Sequence, residues 1–177
     1  MTSFPDLAAR YWCSIHRVCW NLLPDRAAAV EVAEATFLDA LEAFPRDVPS
    51  ATSLYRMAVS KSLSRLPALP SNATRSLGVF LPRFDAHGRF AAAATDSSWL
   101  GDAAFGDVGA AVREVLLRLD PVDRVAFVLR EVEELSTEDV AAVLGISAAH
   151  VRHRVHRASL ILTGFLGQLF EKPALVC

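Results

Sequence analysis

The stretch LSTEDVAAVLGISAAHVRHRVHRAS, from Leu135 to Ser159, constrains the fold more than any other part of the chain. Ser136 stands three residues before Asp139, the spacing at which a hydroxyl caps the free N–H groups of a starting helix. Val140, Ala141 and Leu144 then place apolar atoms on one helical face. Gly145 allows the chain to turn, and Ile146 supplies a buried plug for that turn. Ser147 is placed to cap a second helix. Along it His150, Arg152, His153, Arg154, His156 and Arg157 are polar or cationic, while Val151, Val155 and Ala158 point back at the first helix. Two short helices, a glycine turn and a basic second helix are the pattern of a helix-turn-helix that offers its second helix to the DNA major groove.

Bulk properties narrow the classes. At 177 residues and 53% hydrophobic content the chain is long and apolar enough for packed cores, as one domain or two small ones. A formal net charge of −2 excludes a globally basic nucleic-acid binder, so any DNA contact must come from a local patch or a partner. The apolar run from Leu160 to Phe170 is interrupted and too short to span a bilayer. The opening MTSFPDLAAR lacks the basic and apolar blocks of a signal peptide, so a cytoplasmic protein is expected. Cys13, Cys19 and Cys177 are odd in number and scattered, against a disulfide framework. Cys13, His16 and Cys19 spread over a wide helical arc without an evident fourth ligand, and no metal site is predicted. There is no phosphate-cradling glycine loop, nucleophile elbow or telling acid–base pair, so neither catalytic residues nor a cofactor is expected.

Periodicity predicts helices over about 5–23, 24–44 and 51–66. Their expected core residues include Leu7, Tyr11, Ile15, Val18 and Leu22, then Val30, Ala33, Phe37, Leu38 and Leu41, then Leu54, Met57, Ala58 and Leu63. Pro24 is expected at a first helical position. From Pro67 to about Gly109 prolines and glycines break regularity, yet Leu77, Phe80, Trp99 and Phe105 require cover. Helices resume near Ala110, and Asp120-Pro121 is a cap followed by a proline start. The expected fold class is all-α, with two small helical domains, 5–66 and 108–170, joined by a linker over 67–107.

Two blocks resemble the bacterial RNA polymerase sigma-70 family, of the extracytoplasmic-function (ECF) type. LRLDPVDRVAFVLREVEELSTEDVAAVLGISAAHVRHRVHRAS resembles that family's fourth conserved region. EVAEATFLDAL, from Glu31 to Leu41, is similar to its polymerase-docking helix, and SLYRMAVSKSLSRL, from Ser53 to Leu66, to its promoter-melting helix. The resemblance implies core RNA polymerase and promoter DNA as partners, and a linker that threads toward the polymerase active-site channel. It implies minus-35 contacts by Ser136, Thr137, His150, Arg152, His153, Arg154 and Arg157. For the minus-ten region it implies Arg46, Tyr55, Arg56, Lys61 and Arg65. For the polymerase it implies Glu31, Glu34, Phe37 and Leu38. The chain departs from the family pattern at Ser53, Val59, Ser60 and Ser64, and has Glu34 where glutamine is usual, so weak or assisted minus-ten recognition is expected.

Leu160 to Phe170 must be covered by its own domain, by an anti-sigma factor or by a second copy. A sigma-derived regulator that binds DNA, as a dimer through this end, without opening promoters is the alternative. A decoy for polymerase or anti-sigma factor is a third reading.

Overall fold

The computed structural model describes residues 4–44, 47–66, 77–81, 83–84, 86–87, 90–91 and 108–171. Three helices come first: α1 (Phe4–Leu22), α2 (Arg26–Ala43) and α3 (Ala51–Arg65). α2 begins on Asp25, whose carboxylate accepts the Ala28 N–H, so Pro24 precedes the cap rather than opening the helix. Ser50 caps α3 in the same way, accepting from the Ser53 N–H at 3.1 Å.

A 3₁₀ turn (Leu77–Phe80) and a two-residue antiparallel ladder, β1 (Arg83–Phe84) with β2 (Phe90–Ala91), lie within the predicted linker. α4 (Val108–Arg118) and α5 (Pro121–Phe127) follow, and Asp120 caps α5 with Pro121 behind it, as expected. A π-turn (Val128–Val132) extends α5. α6 (Thr137–Leu144) and the long α7 (Ala148–Glu171) complete the architecture, whose regular elements among the described residues are helical but for the short ladder.

Two cores organise these elements. The first joins Ile15, Val18 and Leu22 of α1, Val32 and Ala33 of α2, and Leu54 and Ala58 of α3. It continues into Val125, Val128 and Leu129 and into Val140, Val143 and Val151, so the N-terminal helices and the helix-turn-helix share continuous apolar packing. The second gathers Leu77, Phe80, Val115, Leu119, Ile161, Leu162 and Phe165. Phe80 meets Phe165 edge to face, with ring centroids 5.5 Å apart.

One expectation changes and two open alternatives are resolved. In α2, Leu38 is 63% and Leu41 49% exposed, because the helix packs through its small residues Ala29, Ala33 and Ala40 and turns both leucines outward. Part of the linker is docked, since Leu77 and Phe80 are buried. The apolar run after Ser159 is covered by its own chain at Ile161, Leu162 and Phe165, which removes these residues as a surface for self-association or anti-sigma docking. Burying each such side chain stabilises the fold by about 2 kcal/mol, so the run drives packing of α7 on α4 and the 3₁₀ turn. The side chains of Leu169 and Phe170 lie outside the described residues. Among those residues no helix is long and apolar enough to cross a membrane.

Candidate nucleic-acid interface

The helix-turn-helix forms from local interactions at each expected position. Ser136 Oγ accepts the Asp139 N–H at 3.0 Å and donates to the Asp139 carboxylate at 2.6 Å, a reciprocal cap at the start of α6. Gly145 terminates α6 at φ 68°, the left-handed conformation that side chains resist. Its N–H and that of Ile146 both close onto the Ala141 carbonyl. Ser147 Oγ accepts the His150 N–H at 3.2 Å and lies 3.1 Å from His150 Nδ1.

α7 presents two polar flanks of different character. His150, Arg152, His153 and His156 are exposed, on the side opposite buried Val151 and Ala158. Arg154 and Arg157 turn instead toward α5. Arg154 Nη1 lies 3.0 Å from Asp123 Oδ1 and 3.7 Å from Asp120, and Arg157 Nη1 lies 3.5 Å from Asp123 Oδ2. Asp123 is 1% exposed and cannot be left without a cation in that position. Arg154 and Arg157, expected on DNA, are engaged by Asp123 here and hold α7 against α5. His156, absent from the expected set, stands with Arg152 on the open face. The signal was present as the 152/153/156 spacing, one helical turn that continues the exposed side.

Thr137 lines a shallow groove together with Arg130, Glu131, Arg152 and His156. Ser136 is exposed, but its hydroxyl is engaged by Asp139, so its side chain serves the cap.

The second set of expected residues is dispersed. Tyr55 is 4% exposed, edge-on to Tyr11 at 6.4 Å, and is a core residue here rather than an open aromatic platform. Arg56 donates to the Ala142 carbonyl of α6 at 2.6 Å. Lys61 pairs with Asp39, and Arg65 with Glu31 at 2.6 Å. The expected docking residue Glu31 is thus tied to the expected DNA residue Arg65, so α2 and α3 neutralise one another along that edge. Arg46 lies outside the described residues. Phe37 is buried, against Trp12 at 5.7 Å between rings, and is corrected from docking surface to core. Glu34, Leu38 and Leu41 share the open side of α2, and Leu41, read as core from the sequence, joins that surface.

Two arginines missed by sequence reasoning stand behind the helix-turn-helix. Arg124 is buried and donates to the carbonyls of Leu22 at 2.7 Å, Leu119 at 3.2 Å and Leu117. Burial pulls its guanidinium down to about 10, while nearby Asp120 opposes the shift. It is still cationic at neutral pH. Arg113 is likewise held below its ordinary value by burial.

This geometry is similar to that of known proteins. The model of "Sigma-70, region 4" matches residues 109–162, the segment from α4 into α7. The chain is 28% identical over 167 residues to the RNA polymerase sigma factor CarQ of Myxococcus xanthus, covering 94% of this chain and 91% of that one. It is 22% identical over 165 residues to the ECF RNA polymerase sigma factor SigW of Bacillus subtilis (strain 168), covering 88% and 84%. Residues 109–162 thus match sigma-70 region 4, and nearly the whole chain is similar to ECF sigma factors. Solved structures agree with this fold. CnrH, in complex with the cytosolic domain of CnrY, is similar at TM-score 0.63 and 21% identity over 93% of this chain and 88% of that one. The sigma factor RpoE of Bartonella quintana, in complex with the anti-sigma factor NepR, is similar at TM-score 0.63 and 19% identity over 94% and 98%.

Proposed function

We propose that this chain is a sigma factor that binds core RNA polymerase and directs it to promoters, a non-catalytic role performed in the cytoplasm. The observation that carries the reading is the capped helix-turn-helix with an open basic flank, lying within the residues that match sigma-70 region 4. Residues 108–170 form the minus-35 domain, 5–66 the polymerase and minus-ten domain, and 67–107 the linker.

Within the first of these, Arg152, His150, His153 and His156 meet base edges and phosphates, because they are exposed on the helix that enters the groove. Thr137, at the N-terminus of α6, supports a phosphate with its backbone N–H. Arg154 and Arg157 act indirectly, by fixing the angle of α7 through Asp123. On α2, Glu34, Leu38 and Leu41 form the docking surface for polymerase, since an exposed apolar stripe beside a carboxylate suits a partner surface that is both apolar and basic. Arg56, Lys61 and Arg65 of α3 supply the minus-ten cations once they exchange Ala142, Asp39 and Glu31 for phosphates. An anti-sigma factor is the expected regulator, by analogy with the RpoE complex with NepR.

Run-off transcription with bacterial core polymerase tests the reading, on promoters selected by binding of the wild-type chain. Specific transcripts that disappear with Arg152→Ala plus His153→Ala support it. DNA binding without transcripts favours instead the regulator that does not open promoters, for which the buried Tyr55 is the favouring observation.

A further inference from the structure

Of the five histidines in the chain, His150, His153 and His156 stand on α7. Steps of three keep them on one side of the helix, and all are exposed together with Arg152. α7 carries no carboxylate before Glu171, so nothing on its own length neutralises this flank. In a chain of net charge −2, the charge state of these rings decides how cationic the open side of α7 is.

The charged groups of the elements packed on α7 leave the flank open. On α5, Asp120 and Asp123 face Arg154 and Arg157, and Arg124 is engaged by carbonyls. On α4, Glu114 pairs with Arg118, and Arg113 lies over the Trp20 ring. On α6, Asp139 is tied to Ser136, and Glu138 is exposed in the first turn. The 3₁₀ turn has no charged residue. His150 Nδ1 lies 3.1 Å from Ser147 Oγ. His156 lines the shallow groove with Arg130, Arg152 and Glu131, where the guanidinium groups outnumber the carboxylate.

We propose that His150, His153 and His156 make DNA recognition by α7 respond to acid: as pH falls the imidazoles charge, and the duplex is held more tightly. The inference rests on the DNA-facing reading of α7 given above. Histidine is the side chain whose charge ordinarily changes between about pH 5 and 8. A neutral imidazole offers a single N–H, whereas an imidazolium donates from both nitrogens and adds a positive charge. Imidazolium ions three residues apart repel one another on a bare helix. Duplex phosphates relieve that repulsion, so proton uptake and DNA binding favour each other. The free chain therefore binds fewer protons than the complex, and affinity rises as pH falls. Arginines in the same places would stay charged throughout and give no such response.

The experiment measures fluorescence anisotropy of a labelled promoter duplex, selected by binding of the wild-type chain, at pH 8 and pH 6 over a range of salt. Wild type is expected to bind about tenfold tighter at pH 6, with a log–log salt slope steeper by about 1 to 3, since each added cation contributes about 0.9. The triple variant His150→Gln, His153→Gln, His156→Gln is expected to show an affinity and a slope that do not change with pH. Glutamine favours helix, and the three positions are exposed. If the triple variant nevertheless loses helical circular dichroism, the His153→Gln, His156→Gln pair is used, with a weakened pH response expected. His16→Gln, on α1 beside Trp12, is expected to keep the wild-type response. A wild-type affinity that does not rise at pH 6, or that rises with an unchanged salt slope, overturns the proposal. So does a full pH response in the folded variant. No duplex binding by wild type at either pH overturns the DNA-binding reading of α7, and the proposal with it.

Discussion

At the scale of single residues, the decisive fact is which cations of α7 are already engaged. Asp123 lies between Arg154 and Arg157 with its carboxylate buried, whereas Arg152 faces solvent. Asp123→Ala removes charge-assisted bonds and leaves two half-exposed arginines that water can reach. It is expected to lower stability by about 2 kcal/mol, read from urea unfolding. Arg152→Ala is expected to change stability by less than about 0.5 kcal/mol while weakening DNA binding. A reversal of that pattern would return Arg154 and Arg157 to the DNA face. The cysteines make a second residue-scale contrast. Cys13 is exposed, while burial pushes the Cys19 thiol up to about 11, so Cys19 stays protonated and shielded at pH 8. Iodoacetamide at that pH is expected to modify Cys13 and to reach Cys19 only after unfolding, as peptide mass mapping would show.

At the scale of elements, α7 holds two glycines with opposite roles. A Cβ at Gly164 would overlap the Phe80 carbonyl oxygen and lie 2.9 Å from its carbon, whereas one at Gly167 meets nothing within 4 Å. Gly164→Ala is expected to displace the 3₁₀ turn and cost about 2 kcal/mol. Gly167→Ala should raise stability by about 0.5–1 kcal/mol through helix propensity alone. Paired thermal melts decide this, and equal melting temperatures would mean that the turn does not dock on α7. The caps of α5 and α6 and the Gly145 turn were legible in the sequence, because each involves partners within a few residues. The outward rotation of Leu38 and Leu41 was not. α2 is apolar on both sides, and periodicity alone could not show that its alanines mark the close-packed side.

Across the whole molecule, a net charge of −2 leaves recognition to a small patch. With Arg152 and the three imidazoles as its open flank, the chain is expected to release few counterions on binding. The logarithm of its DNA affinity should fall against the logarithm of salt with a slope of about −2 to −4. A slope steeper than about −6 in a salt titration would require cations beyond this flank. The same scale holds the contacts between units, such as Arg17 with Glu133 and Arg56 with Ala142, which join positions far apart in the chain.

The sequence by itself determined the helices, the caps of α5, α6 and α7, the helix-turn-helix and the resemblance to sigma factors, because hydrophobic period and capping chemistry act over three or four residues. The tertiary structure alone decided the direction of each charged side chain. It turned Arg154 and Arg157 inward, buried Tyr55 and Phe37, covered the apolar end of α7 with the linker's own Leu77 and Phe80, and seated the helix-turn-helix on α3. A carboxylate such as Asp123 selects its cation by where packing places it, 31 residues from Arg154 in the chain, and no local pattern encodes that choice.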